Sequence, residues 1–196
     1  MNQYKKNRML EVTSDQWEAE VSRVRYRRSF SRALRGALGV LVTVAALAVL
    51  TAVLVMPVLR IYGSSMTPSL EEGNYVVSLK GSRFETGDII AFYYNNKILV
   101  KRVIARAGDW VEISEDGTVY VNSVQIDEPY VSELALGECD IEMPYQVPEA
   151  RVFVMGDHRS QSVDSRSTVI GCVAEEQVVG KIVFRIWPLE GFGALE

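Results

Sequence analysis

Apolar residues follow two different rhythms along this chain. Over positions 36–59 they run unbroken, GALGVLVTVAALAVLTAVLVMPVL, without one charged residue. As a helix rising about 1.5 Å per residue, this run covers a hydrocarbon layer roughly 30 Å thick. A core helix of that length would keep a polar face, so a single transmembrane helix is predicted over 36–59. Ahead of it, 14–35 places Trp17, Val21 and Val24 on one helical face, with Asp15 and Glu18 in a capping arrangement. That pattern predicts a short basic helix lying at the membrane surface. Beyond Arg60 the rhythm changes to short alternating or β-branched segments. Residues 75–79, 89–94, 98–104, 110–113, 118–121, 152–155 and 178–187 are predicted strands, with Asp116-Gly117 marking a hairpin. No helical rhythm of comparable length follows residue 60. The fold class is therefore mostly β, an antiparallel domain over 60–196 preceded by one transmembrane helix. The acid-rich stretch 133–149, broken by Gly137, Pro144 and Pro148, reads as a long surface loop or flap.

Charge orients this arrangement. Residues 1–36 carry a balance of +5 and the rest −9, which together make the net −4 of the chain. Arg25, Arg27, Arg28, Arg32 and Arg35 crowd one end of the apolar run. Basic residues beside a span favour the cytoplasmic side, so the basic segment 1–35 is expected inside and the acidic domain outside. Beside a span, the phospholipid surface is the expected partner of these arginines, and no nucleic acid is. A cleaved signal peptide has a shorter apolar stretch and a small-residue cleavage site. Here the run is longer, about 35 residues precede it, and Met56-Pro57-Val58-Leu59-Arg60 offers no such site. It is expected to remain attached as an anchor.

The chemistry-bearing residues are few. His158 is the only histidine, in the polar turn Gly156-Asp157-His158-Arg159, where exposure is the default. No Cys/His set has ligand spacing, so neither metal nor cofactor is expected. Cys139 and Cys172 fall in the domain expected outside, where a disulfide persists if geometry allows one; a bridge and two separate thiols both remain open. Without a histidine base, a serine can be activated by a neutral lysine whose pKa burial has lowered. Lys80 and Lys97 border turns, and Lys181 in VVGKIVF is the weaker candidate. Lys101, in Ile98-Leu99-Val100-Lys101-Arg102-Val103-Ile104, shares a strand face with Leu99 and Val103, while Arg102 points the other way. An apolar face would neutralise it; an edge-strand lysine that prevents aggregation has the same pattern. The segment 156–166, GDHRSQSVDSR, is dense enough in hydroxyls and opposed charges to support a site, or to be a solvated loop.

Taken in order, GSSMTPSL at 63–70, TGDIIAF at 86–92, VKRVIARAGD at 100–109 and VMGDHRSQSVDSR at 154–166 resemble the bacterial signal peptidase I family. The resemblance implies a β-rich fold with a Ser/Lys dyad, working outside the cytoplasmic membrane. It also implies removal of signal peptides from exported preproteins after small residues, typically Ala-x-Ala. Carried over by motif, Ser65 is the nucleophile and Lys101 the general base. Ser162 orients the lysine, Asp164 and Arg166 brace the site, and Asp157 belongs to the same supporting loop. The Ser65 backbone N–H is one oxyanion donor. Gly63 stands where some members supply a serine hydroxyl, which leaves the second donor open. Ser69 replaces the usual Thr, Ala105-Arg106-Ala107 the usual Gly-Leu-Pro, and His158 the usual Asn. Substrate is expected as an added strand beside Ile98, Leu99 and Val100, with Met66 and Ile90 walling shallow pockets.

Two rival readings are weaker. A self-cleaving Ser/Lys repressor needs a DNA-binding domain where the apolar run stands. A membrane-anchored scaffold for secretion partners leaves four matched polar segments without a purpose.

Overall fold

The computed structural model describes residues 14–195, so the first part of the basic segment, 1–13, lies outside the described residues. Contacts divide the chain into two units, 1–51 and 52–196. The first is dominated by one continuous helix, α1 (Ser14–Val55), in which the basic helix and the apolar run form a single element of 42 residues. The expected cap rests on Asp15, whose side chain is not among those described. Among the described residues α1 is the one helix long and apolar enough to cross a membrane, and none of its apolar stretch is buried within the protein. It stops at Val55, four residues short of the end of the apolar run. Pro57 has no N–H to continue the ladder and disfavours helical geometry at Met56.

The sheets of the second unit are antiparallel. In chain order its strands are β1 (Val58–Arg60), β2 (Tyr75–Lys80), β3 (Ile89–Tyr94), β4 (Lys97–Arg106), β5 (Trp110–Ile113) and β6 (Val119–Val121). There follow β7 (Val124–Gln125), β8 (Tyr145–Gln146), β9 (Arg151–Met155), β10 (Val173–Ala174), β11 (Val178–Trp187) and β12 (Gly193–Ala194). A large sheet runs β1-β2-β11-β3-β4-β9-β10, with β12 added along β11, and a smaller one runs β7-β6-β5-β8. Every pairing is antiparallel. The antiparallel β expectation holds, and the predicted strands at 89–94, 110–113 and 178–187 match their observed limits.

β3 and β4 lie in the interior of the large sheet and bury both faces. Ile90, Phe92 and Val103 pack with Val152, Val154 and Val173 on one side. Ile89 and Ala91 pack with Ile61, Met66, Leu70 and Val76 on the other. Further along β4, Ile104 and Ala105 join Val111, Val119, Phe153 and Met155 beneath the small sheet. A polar group in the buried stretch 101–105 of β4 is therefore desolvated, at a cost unless a partner is supplied. The acid-rich stretch 133–149 is largely loop, as expected, yet it is tied down: β8 pairs with β5, Val147 is buried, and Leu136 accepts a hydrogen bond from Arg166.

Candidate active site

Lys101 sits midway along β4, directly opposite Ile90 of β3, and is only 4% exposed. Its Nζ donates to Ser162 Oγ at 2.9 Å. Burial pushes its pKa down from the ordinary 10.5 to about 8; Asp164 and Asp157 pull it back up, and Arg166 adds to the lowering. A substantial neutral fraction near pH 8 is what a general base requires. Lys181, the weaker candidate, forms an ion pair with Asp88 at 2.7 Å and is a third exposed.

Ser65 reaches this region on a tight turn. Leu59 pairs with Val76, and Ile61 exchanges backbone hydrogen bonds with Asn74 and Gly73. Next, Thr67 N–H donates to Ser64 O and Leu70 N–H to Met66 O, which sinks Met66 and Leu70 into the core. Gly63 permits the entry to this turn with φ of 81°, in the left-handed region that favours glycine. Two contacts fasten the turn to the 156–166 loop. His158 N–H donates to Ser65 O at 3.1 Å, and the Ser64 hydroxyl donates to Gln161 Oε1 at 3.1 Å. Among the described residues neither the Ser65 hydroxyl nor its N–H has a hydrogen-bond partner, so both are available to a bound peptide. No direct hydrogen bond joins Ser65 to Lys101, but they line one cavity of about 510 Å³.

That cavity is a trough between two walls. Residues 59–63 with Ser65 and Met66 form one, and 97–101 the other. Met66, Ile98, Leu99, Val100 and Gly63 all line this cavity. Ile90 does not: β3 is interior, and the Ile90 side chain belongs to the core cluster with Phe92 and Val103. It forms no part of the cavity wall.

The supporting loop is held by charge. Arg166 Nη2 donates to Asp164 Oδ2 and Arg166 Nε to Asp164 Oδ1, both at 2.8 Å, with both side chains fully buried. Arg166 also reaches the carbonyls of Leu136, Arg159 and Ser162. Burial alone would raise the Asp164 pKa. The hydrogen bonds and charge of Arg166, the Gly156 N–H and the Ser162 hydroxyl outweigh burial and hold the carboxyl below its ordinary range. Gly156 is pressed between the two serine-bearing segments: a Cβ there would stand 2.3 Å from Ser162 Oγ and 2.4 Å from Ser65 O. Asp157 is bonded bidentately by Arg102, Nε at 2.9 Å and Nη2 at 2.8 Å.

Several residues escaped the sequence reading. Arg102 was placed on the opposite face of β4 from Lys101, but its partners Asp157, Gly87 and Ser69 had no signal in the sequence. Neither did the buried pair of Arg159 and Glu128, 31 positions apart. His158 is half-buried, not exposed, and its buried Nδ1 has no hydrogen-bond partner among the described residues. Cys139 and Cys172 are separate thiols; burial pushes Cys172 up to about 11. Among the described residues no group of three or more His, Cys, Asp or Glu is placed to hold a metal ion.

A family model described as signal peptidase, peptidase S26, matches residues 34–187. Signal peptidase IB of Staphylococcus aureus (strain COL) is 36% identical over 152 residues, covering 67% of this chain and 78% of that protein. Thylakoidal processing peptidase 1, chloroplastic, of Arabidopsis thaliana is 37% identical over 142 residues, 64% of this chain; the chain spans 40% of that relative's length. A crystal structure of a signal peptidase I from Enterococcus faecalis V583 is matched with a TM-score of 0.42 and 31% identity, covering 51% of this chain and 97% of that one.

Proposed function

The chain belongs to the signal peptidase family, peptidase S26, and from that membership we propose a membrane-anchored endopeptidase that cleaves by a Ser/Lys dyad. Its substrates are exported preproteins, cut after small residues of the Ala-x-Ala type. The observation that carries this reading is Lys101: a lysine with a lowered pKa, hydrogen-bonded to Ser162, in the same cavity as Ser65.

The chemistry runs as follows. The preprotein enters the trough as an extended strand between the walls 59–66 and 97–101. Neutral Lys101 takes the proton of the Ser65 hydroxyl as Oγ attacks the scissile carbonyl. The tetrahedral oxyanion is met by the Ser65 N–H, a donor that no acceptor among the described residues occupies. Gly63 brings no hydroxyl to this spot, so a second donor comes from backbone or solvent. Lys101 then returns the proton to the leaving amine, which departs as the new N-terminus of the mature protein. Water, deprotonated by the same lysine, releases the signal peptide from Ser65. Met66 narrows the trough beside the nucleophile, which favours small side chains at the cleavage site. Helix α1 is the anchor in this proposal, with the basic end in the cytoplasm and the β unit outside.

The test uses the purified full chain in detergent with a labelled Ala-x-Ala preprotein. Wild type is expected to cleave it, while Ser65→Ala and Lys101→Met do not. Normal processing by either variant would remove the dyad from the proposal.

A further inference from the structure

Next to Lys101 on β4, and three positions before Ser162 on its loop, stand two arginines that a single short segment holds together. The Arg102 guanidinium lies over the Tyr130 ring, 3.8 Å from its centroid, while it grips Asp157 of the loop. Tyr130 Oη donates to Glu128 Oε1 at 2.9 Å. Glu128 in turn accepts from Arg159 through both oxygens, Nη1 to Oε2 at 3.0 Å and Nη2 to Oε1. Arg159 extends the chain, its Nε reaching Gly156 O and its own carbonyl accepting from Arg166 Nη2. The path thus runs from the neighbour of the candidate base, through segment 128–130, to the loop that orients that base.

Stability alone is a poor account of this arrangement. Removing Arg102, Asp157, Arg159 and Glu128 from water costs about what their pairing returns, and apolar residues would pack as well. Such pairs, however, fix relative positions, because each bidentate contact tolerates little displacement. Burial and the neighbouring Glu128 charge push the Tyr130 hydroxyl pKa upward, so it remains a donor to Glu128 at every working pH.

We propose that Tyr130 and Glu128 are positioning residues for the cleavage reaction: they clamp Arg102 to Arg159 and thereby hold Lys101 in register with Ser162 and Ser65. The inference rests on the Ser/Lys reading above. It assigns no contact with substrate to either residue, so its mark is on turnover and not on binding.

The experiment measures kcat and KM for a labelled preprotein, with thermal unfolding in parallel, on the full chain in detergent. Tyr130→Leu, which removes ring and hydroxyl, is expected to lower kcat by roughly ten- to a hundredfold with KM within about twofold, the scale of a misplaced catalytic group. Tyr130→Phe keeps the ring over Arg102 but breaks the hydrogen bond to Glu128, and is expected to lower kcat by an intermediate amount, less than Tyr130→Leu. Glu128→Gln keeps the volume but removes the charge that pairs Arg159, and is expected to lower kcat with KM unchanged. If Tyr130→Leu fails to fold, Tyr130→Phe and Glu128→Gln still decide, because unchanged kcat in Glu128→Gln overturns the proposal. So does a loss in Tyr130→Leu that falls on KM alone, or an unchanged kcat in Tyr130→Phe. Lys101→Met run alongside separates the two readings: if it cleaves normally the dyad reading fails, whatever Tyr130 does.

Discussion

Lys101 and Ser162 meet across 2.9 Å inside the protein, the lysine donating and the hydroxyl accepting, although 61 positions separate them in the chain. The contact fixes where the amine points, and the surrounding burial sets how readily it gives up its proton. Orientation and lowered basicity together define what this site can do, and each can be perturbed separately.

The pH dependence follows from the lysine. With its pKa near 8, the neutral fraction of Lys101 grows as pH rises through that value. Cleavage measured as kcat/KM is expected to climb along an acidic limb centred near pH 8; a limb centred near 6 or absent altogether would point to another base. Stability carries the same signature. The unfolded lysine, at its ordinary 10.5, binds a proton between pH 8 and 10.5 that the folded one has lost. Stability therefore rises with pH through that window. Lys101→Met removes the penalty of a buried charge, so it is expected to be inactive yet more stable at pH 7, by on the order of 1 kcal/mol. That advantage should shrink as pH approaches 10.

Gly156 offers a steric test. Its missing side chain is the space in which Ser162 Oγ and Ser65 O come together. Gly156→Ala is expected to abolish cleavage, because the methyl must displace either the Ser162 hydroxyl or the Ser65 turn. Circular dichroism and a cleavage assay on the same sample check this. Full activity in Gly156→Ala would mean the loop yields more than its hydrogen bonds suggest.

Asp164 tests the brace. Asp164→Asn leaves the Arg166 guanidinium buried without its countercharge, and breaking a buried pair in this way costs about 3–5 kcal/mol. Urea denaturation reads the loss directly. Because the Asp164 carboxyl is held below its ordinary range, its contribution is fully present above pH ~4 and disappears as pH falls through the folded value. The variant should thus lose the corresponding part of the acid transition.

Met66 and Ile90 separate wall from core. Met66→Ala is expected to widen the trough and to raise the relative rate for preproteins with Val or Leu at the cleavage site. Ile90→Ala, away from the cavity, is expected to leave that preference unchanged while costing about 2–5 kcal/mol of stability. A change of preference in Ile90→Ala would return that residue to the substrate wall.

The sequence by itself determined what depends on near neighbours. Period-two alternation and β-branched runs located every long strand, and the uncharged run located the apolar helix, because both signals come from residues within a few positions of one another. The motifs that carry the family resemblance, with Ser65, Lys101, Ser162, Asp164 and Arg166 in them, were likewise legible, since each is a short contiguous stretch. Tertiary structure decided whatever depends on distance through space. Strands β1, β7, β8, β10 and β12, two or three residues each, exist only through partners such as Val77 for Val58. The same holds for Ile90, which the sequence reading set in a pocket wall but the packing of β3 assigned to the core. It holds most of all for Arg102, Glu128, Tyr130 and Arg159. Desolvation and pairing act between side chains that touch, and only the folded chain brings these four together.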